Sequence, residues 1–186
     1  MPDKPVKPII ASTRTLAETR LFRVEELDLH FSNGVEVTYE RLFGSKYGAV
    51  LVVPLLDDNT VLLIREYAAG VDRYELALPK GRIEQGENPI DAANREIMEE
   101  VGYGAHRLTR LKSFTEIPGY FCHETQVVVA EDLYPEKREG DEPEEIEVVP
   151  WRLDELHKLW SHPDCTEARS IAALLLVRDG YHHRGA

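Results

Sequence analysis

The spacing of apolar residues changes after Leu78, and this change constrains the fold more than any other feature. Before it, apolar residues form short strand-like runs, such as Ala49–Leu56 and Thr60–Tyr67 on either side of the turn signal Asp57-Asp58-Asn59. Beyond it, apolar residues recur at the spacing of one helix face: Ile90, Ala93, Ile97 and Val101. Strands followed by an amphipathic helix predict a mixed β-sheet with helices packed on it, an α/β (α+β) fold.

An N-terminal antiparallel hairpin is expected to precede this sheet. The strand-like runs Leu21–Phe31 and Val35–Leu42 flank Ser32-Asn33-Gly34. Asn-Gly is a strong hairpin signal because both residues tolerate positive φ. Ala49–Leu56 and Thr60–Tyr67 form a second hairpin, which is more apolar and therefore more central. Three further strands and two closing helices complete the prediction: Tyr74–Leu78, Leu108–Glu116, Thr125–Glu131, Leu153–Trp160 and Thr166–Arg178.

The charge balance restricts the partners of this protein. It has 34 acidic and 22 basic residues and a net charge of −12, with no block rich in Lys or Arg. Binding to nucleic acid depends on clusters of Lys and Arg that contact phosphates. We therefore expect no nucleic-acid partner. A small anionic substrate is still allowed where metal cations neutralise the repulsion.

The sequence indicates a cytoplasmic protein without a membrane segment. Residues 1–10 lack the apolar core of a signal peptide. The longest apolar runs, Ala49–Leu56 and Ile171–Val177, are far shorter than the roughly 18 residues that a membrane span needs. Cys122 and Cys165 form no CxxC motif, and we interpret them as ordinary thiols.

The predicted helix after Leu78 carries clustered carboxylates. Asn88 is placed to cap it, Pro89 occupies its first position and Gly102 follows its end. At helical spacing Glu96 and Glu100 stand only about 40° apart, and Glu100 lies at the edge that faces the sheet. An unpaired carboxylate there is costly, so a positive charge should accompany it.

Two interpretations fit these carboxylates. One is a solvated acidic face supported by an Arg95–Glu99 pair one helical turn apart. The other is a site for hard divalent cations, since Mg²⁺ binds oxygen ligands and keeps waters that a substrate phosphate can replace. The fixed positions of Gly81, Gly86 and Glu87 ahead of the helix favour the cation site, because a plain surface helix does not need them.

The segment from Gly81 to Gly102 resembles the Nudix box, G-x5-E-x7-R-E-U-x-E-E-x-G-U, in which U is a bulky apolar residue. Tyr103 departs from the pattern, which usually ends in an aliphatic residue. The specified positions match without a gap: Gly81, Glu87, Arg95, Glu96, Ile97, Glu99, Glu100 and Gly102.

The resemblance extends over nearly the whole chain, from about Ile9 to Gly180. Tyr74–Gly81 resembles the strand that leads into the box in ADP-ribose-type members, and Pro118 is similar to the proline that marks them. Together with Leu133–Glu136 and Glu139–Glu144, the pattern is most like the NudE-type ADP-compound hydrolases. Many ADP-ribose-type members carry an Arg after Arg-x-Tyr, where this chain has Ala68.

The resemblance implies a Nudix fold, a mixed β-sheet sandwiched between helices, over residues 47–186. It also implies an N-terminal hairpin extension, residues 1–46, for dimerisation or substrate binding. The implied activity is metal-dependent hydrolysis of ADP-ribose, NADH or diadenosine polyphosphates to AMP and a second phosphate product, by water attack on phosphorus. The implied cofactor is Mg²⁺, with Mn²⁺ as the other candidate, and the implied assembly is a homodimer. Another nucleoside diphosphate derivative as substrate, or a non-catalytic nucleotide-sensing module, remains the alternative.

The same resemblance implies roles for individual residues. Glu96, Glu99, Glu100 and the Lys80 carbonyl would hold the metal, with Glu99 and Glu100 counted as catalytic. Gly81, Glu87, Arg95 and Gly102 would be structural, with Glu87 and Arg95 forming a pair. The segment Glu131–Glu147, which we call the acidic loop, carries two candidates for the general base, Glu142 slightly ahead of Glu144. The candidates for substrate binding are Glu40, Arg41, Arg65 and Tyr120.

Overall fold

The computed structural model describes residues 5–141 and 143–180. They form two units, which we call the N-terminal unit and the main unit. The N-terminal unit comprises the chain up to Lys46 together with Thr115–Glu124, and the main unit comprises Tyr47–Phe114 and the chain from Thr125 onward. The roles predicted for residues 1–46, dimerisation and substrate binding, stay predictions.

Strands make up most of the regular secondary structure in the described residues. The strands are β1 (Ile9–Glu18), β2 (Arg23–His30), β3 (Glu36–Phe43), β4 (Ala49–Asp57), β5 (Thr60–Ala68), β6 (Arg73–Ala77), β7 (Lys80–Arg82), β8 (Tyr103–Phe114), β9 (Phe121–Cys122), β10 (Thr125–Pro135) and β11 (Glu147–Arg152). The helices are α1 (Pro89–Glu96), α2 (Leu156–Leu159) and α3 (Ala168–Arg178), with a π-helical turn at Ile97–Val101 and a 3₁₀ turn at Leu153–Glu155.

The N-terminal unit is a four-stranded sheet in the order β1-β2-β3-β9. The predicted hairpin is confirmed as β2 and β3, which pair from Arg23↔Phe43 to His30↔Glu36. Within its turn only Gly34 has a positive φ, 84°. The turn is thus a loop with one left-handed glycine rather than an Asn-Gly pair with two positive φ angles. β1 was not predicted, because its many polar residues lack an alternating apolar pattern.

The main unit contains a seven-stranded mixed sheet, which confirms the predicted architecture. Its main path has the order β11-β5-β4-β10-β8, with β6 beside β5 and β7 beside β4. β10 runs parallel to β4 and antiparallel to β8. The predicted central hairpin is confirmed as β4 and β5, both largely buried.

Helices cover both faces of this sheet, as predicted. Side chains alternate along a strand, so neighbouring residues of β4 enter different cores. Val50 and Val52 pack in one core with Ile97 of the π-helical turn. Leu51 and Val53 pack in the other core with α2 and α3. α1 and the acidic segment that follows it are therefore held against the opposite face of the sheet from α3.

Two strands of the main sheet were missed, and one helix is shorter than predicted. β7 has three residues, too few for a periodic signal. β11 contains Pro150, which a strand tolerates at a sheet edge, where β11 lies. The helix predicted over Leu153–Trp160 is a 3₁₀ turn followed by α2. Across residues 5–141 and 143–180 no helix is both long and apolar enough to cross a membrane.

Candidate functional site

The predicted cap and stop of the acidic helix are confirmed. The Asn88 side chain accepts hydrogen bonds from the backbone N–H groups of Ile90 and Asp91 at 2.9 and 3.0 Å. Gly102 ends the segment with φ of 80°, a left-handed conformation that favours glycine. The segment differs from the prediction in one respect: α1 ends at Glu96, and the chain continues as the π-helical turn. Such turns are rare and occur frequently at functional sites.

Glu100 is buried against the sheet, as its position on the helix predicted. Only 2% of the residue is exposed, and its Oε2 accepts a hydrogen bond from the Lys80 backbone N–H at 3.0 Å. Burial raises the pKa of the Glu100 carboxyl to about 9, although the nearby charge of Lys80 acts in the opposite direction. A cation bound here would compensate the cost of ionising this group.

Glu96 reaches the backbone of the preceding strand. Its carboxylate lies so close to Gly81 that a Cβ on Gly81 would be 2.0 Å from the Glu96 Oε1 atom. A Cβ at position 81 would force this carboxylate to move, so glycine permits its close approach. The glycine at the first position of the box, Gly81, is thus explained by its contact with Glu96, another box residue.

Arg95 joins the loop to the helix. It donates two hydrogen bonds of 2.9 Å to Glu87, one of 2.7 Å to Glu96 and one of 3.0 Å to Glu99. A further bond of 3.0 Å goes to the Arg82 carbonyl. The Arg95 guanidinium lowers the pKa of Glu87, and its contacts with the carboxylates, above all Glu87, raise its own pKa. The predicted Glu87–Arg95 pair is confirmed, and so is the Arg95–Glu99 pair.

The donor atoms of this site fit a hard divalent cation. Among the described residues no group of three His, Cys, Asp or Glu side chains is arranged so that it could hold a metal ion, and Arg95 contacts both Glu96 and Glu99. The donors are oxygen atoms, which Mg²⁺ and Mn²⁺ prefer. Glu100 in addition supplies a buried carboxyl that lacks a cationic side chain within ion-pair distance in the described structure. These features fit the metal, and the ligand roles of Glu96, Glu99, Glu100 and Lys80 stay predictions.

Lys80 makes a contact that the sequence analysis missed. Its ammonium Nζ donates to Glu66 Oε2 on β5 at 2.7 Å, while its backbone N–H donates to Glu100. Glu66 lies on the same face of β5 as Leu62 and Ile64. The alternation of β5 was visible in the sequence, but the contact between Glu66 and Lys80 of β7 was not.

The beginning of the acidic loop is attached to the π-helical turn. The Lys137 Nζ donates to the Glu99 carbonyl at 2.7 Å, and the Arg138 backbone N–H donates to the Met98 carbonyl at 3.0 Å. The Glu136 N–H donates to the Gly102 carbonyl at 3.1 Å. These bonds satisfy carbonyl groups that a helix end leaves free. The loop that was predicted to carry the general base is therefore anchored beside Glu99 and Glu100.

The two candidates for the general base differ in what the structure describes. Glu142 lies outside the described residues. Glu144 is exposed and accepts a hydrogen bond of 2.7 Å from the Tyr74 hydroxyl. This bond to a carboxylate raises the pKa of Tyr74. Tyr74 in turn packs edge-on against Tyr67, with 5.7 Å between ring centroids. The role of both glutamates stays a prediction.

Arg65, a candidate for substrate binding, is engaged in ion pairs. It donates to Glu147 at 2.9 Å and to Asp164 at 2.5 Å. It is two residues from Leu63, which packs on the α3 side of the sheet, so the alternation of β5 points Arg65 to that side. Its predicted contact with substrate stays a prediction.

The other three candidates for substrate binding lie in the N-terminal unit. Arg41 donates two hydrogen bonds to the buried Glu25, at 3.1 and 2.9 Å, and stacks 4.7 Å from the Phe43 ring centroid. Glu40 is exposed on β3, and Tyr120 is 56% exposed in the turn before β9. An exposed aromatic side chain suits base stacking, and these roles stay predictions.

Comparisons with known proteins agree with the sequence pattern. Residues 8–41 match the NudE-type Nudix hydrolase N-terminal domain, and residues 46–175 match the NUDIX domain. The chain is 49% identical to "ADP compounds hydrolase NudE" of Escherichia coli, over 96% of both chains. It is 30% identical to an "ADP-ribose pyrophosphatase" of Bacillus subtilis, over 87% of this chain and 90% of the relative. A crystal structure of an ADP compounds hydrolase superposes with a TM-score of 0.88 at 48% identity, over 98% of each chain.

Proposed function

The chain belongs to the Nudix hydrolase family, and from this premise we propose that it hydrolyses ADP-linked compounds to AMP and a second phosphate product. ADP-ribose, NADH and diadenosine polyphosphates are the proposed substrates. The relatives named for ADP compounds and ADP-ribose support this choice. The observation that carries the proposal is the buried Glu100 carboxyl, fixed to the Lys80 backbone beside the Glu96 carboxylate.

Glu96, Glu99, Glu100 and the Lys80 carbonyl are the proposed metal ligands. A bound Mg²⁺ or Mn²⁺ would neutralise the pyrophosphate and lower the pKa of the attacking water. Gly81 lets the Glu96 carboxylate approach the backbone. Arg95 fixes Glu87, Glu96 and Glu99 relative to one another through its planar guanidinium.

A glutamate of the acidic loop is the proposed general base. Glu144, or Glu142, would accept the proton of the water that attacks phosphorus, which requires hydrogen-bond distance to that water. The bonds from Lys137 and Arg138 to the π-helical turn support a loop anchored near the carboxylates. Arg41, Glu40 and Arg65 are proposed as polar contacts of the substrate, and Tyr120 is proposed to stack on a base or to line the ribose.

The first test measures AMP release from ADP-ribose, NADH and diadenosine triphosphate with Mg²⁺ or Mn²⁺, in the wild type and in Glu100→Gln. The substitution keeps the shape of the side chain and removes one ligand charge. We expect release by the wild type and a loss of about 100-fold in the variant. Glu167→Gln, which changes a partly buried carboxylate at the start of α3, is the control and should retain activity. Binding without release from any substrate would contradict the proposal and favour a nucleotide-sensing module.

A homodimer is proposed through the N-terminal unit. β1 is exposed along its whole length, and apolar side chains of the sheet face solvent, among them Ile9, Ile10, Val37 and Tyr39. An exposed apolar sheet favours association because it removes this surface from water. Light scattering after gel filtration at micromolar concentration should give twice the mass of 21.2 kDa. Elution as a monomer would contradict this assembly.

A cytoplasmic location is also proposed. Cys122 and Cys165 are both free thiols, which persist in a reducing compartment. Fractionation of the source cells should place the protein with cytoplasmic markers. Recovery with an exported or membrane fraction would contradict the location.

A further inference from the structure

One face of β5 carries a row of side chains that begins in the core and ends beside Lys80. Leu62 and Ile64 are buried and pack in the same core as Ile97. Glu66 is the next residue on this face, because side chains two apart on a strand share a face. Its side chain is 37% exposed. The row therefore ends in a carboxylate at the margin of the core that α1 and the π-helical turn cover.

Lys80 lies between this carboxylate and the buried Glu100. Its ammonium is 2.7 Å from Glu66 Oε2, and its backbone N–H is 3.0 Å from Glu100 Oε2. A lysine side chain is a flexible four-carbon stem that can rotate between partners. The Lys80 charge already acts on Glu100, since it lowers the pKa of that carboxyl against the effect of burial. Lys80 therefore contacts two carboxylates. Its ammonium is hydrogen-bonded to Glu66 and its backbone N–H to Glu100.

We propose that Glu66 is a positioning residue that holds the Lys80 ammonium away from Glu100 and keeps the Glu100 carboxylate available to a divalent cation. This inference rests on the proposed function, because it assumes that Glu100 binds metal. Without Glu66 the ammonium loses its partner and is free to rotate toward Glu100, whose carboxylate is bonded to the backbone of the same lysine. It then competes with the divalent ion for the same oxygen atoms.

A simpler role would be a structural ion pair that joins β5 to β7. That role predicts that loss of either partner has the same effect, since each change removes the same bond. The positioning role predicts opposite effects. Glu66→Gln frees the competing ammonium and weakens metal binding, whereas Lys80→Met removes the competitor. The double variant should then regain the binding that the single Glu66 variant loses.

The experiment measures Mn²⁺ binding to the whole protein without substrate, by electron paramagnetic resonance, and then the Mg²⁺ concentration for half-maximal AMP release. We expect Glu66→Gln to raise the Mn²⁺ dissociation constant by roughly 10-fold or more. Glu66→Asp, which keeps the charge, should remain near the wild type. Lys80→Met and the double variant should bind Mn²⁺ at least as tightly as the wild type. Glu155→Gln, which breaks a surface pair of 2.6 Å with Lys158, is the matched control and should change nothing.

Two results would overturn the inference while leaving the proposed function intact. One is unchanged Mn²⁺ binding in Glu66→Gln, and the other is a double variant that binds as weakly as Glu66→Gln. Thermal unfolding of each variant separates these results from loss of the fold, and Glu66→Ala provides a second variant without the carboxylate if Glu66→Gln does not fold. A wild-type protein that neither binds Mn²⁺ nor releases AMP would overturn the proposed function itself, and this inference with it.

Discussion

The carboxylate of Glu96 occupies the space that any side chain on Gly81 would need. A Cβ at position 81 would lie 2.0 Å from Glu96 Oε1 and 2.2 Å from Oε2. This contact joins the strand before the loop to the last residue of α1. Glycine leaves room for the carboxylate in this position, and the bond from Arg95 holds it there.

Gly81→Ala is expected to displace the Glu96 carboxylate and to lower kcat. A displacement of about 1 Å in a catalytic site can cost roughly 100-fold in rate. The thermal midpoint should fall much less than it would after a core truncation, because no apolar contact is removed. Gly70→Ala is the matched control, since a Cβ there meets nothing within 4 Å. Equal activity of the two variants would show that the close approach of Glu96 has no functional role.

Arg95→Lys is expected to lower activity although it keeps the charge. A lysine ammonium cannot reproduce the planar bonds to Glu87, Glu96 and Glu99. The loss of this orientation should weaken metal activation by about 10-fold, measured as the Mg²⁺ concentration for half-maximal rate. Arg107→Lys, in an exposed pair with Glu131, tests whether any Arg-to-Lys change has this effect. A wild-type Mg²⁺ response in Arg95→Lys would contradict the role of the guanidinium.

The metal-free protein is expected to lose stability as pH rises. The pKa of Glu100 is raised from 4.5 to about 9 by burial, so the folded state binds a proton that the unfolded state releases between these values. The Glu100 contribution to the free energy of unfolding is therefore complete below about pH 4.5 and lost toward pH 9. Thermal unfolding in EDTA from pH 5 to 9 should show this decrease in the wild type.

The control for this pH effect is Glu100→Gln, which cannot ionise at position 100 and should be less sensitive to pH. Added Mg²⁺ should stabilise the wild type most at high pH, where the carboxylate is ionised. Parallel pH profiles of the two proteins would show that Glu100 does not titrate in this range.

Local signals predicted much of this site. Asn88, Pro89 and Gly102 set the bounds of the helical segment, and the position of Glu100 relative to the apolar stripe predicted its burial. The change from α1 to the π-helical turn was not predictable, because it depends on packing against the sheet and on the bonds from the loop at Lys137. Sequence periodicity shows which residues share a helix face. It changes little when one turn contains an extra residue.

Contacts between distant strands were the other limit. Lys80 and Glu66 belong to β7 and β5, which do not pair with each other, so no local pattern links them. The Tyr74–Glu144 bond joins residues 70 positions apart. Lys80 and Glu144 could be identified in the sequence by resemblance to a family. Their hydrogen-bond partners, Glu66 and Tyr74, are known only from the fold.

Tyr74→Phe tests whether Glu144 acts in the reaction. The substitution removes the hydroxyl that donates to Glu144 at 2.7 Å and keeps the ring that packs against Tyr67. The hydroxyl holds the Glu144 carboxylate through this bond, so its loss should change where the carboxylate lies. We expect an altered kcat. KM should change little.

The decisive comparison is the same substitution made on a Glu144→Gln background. If Tyr74 acts through Glu144, the two changes are coupled, and Tyr74→Phe should have no further effect on kcat once the carboxylate is gone. Tyr67→Phe removes the neighbouring hydroxyl, which donates to Asp72, and serves as the control. Independent, additive effects of Tyr74→Phe and Glu144→Gln would assign the tyrosine to local packing. An unchanged kcat in Glu144→Gln alone would leave Glu142 as the candidate for the base.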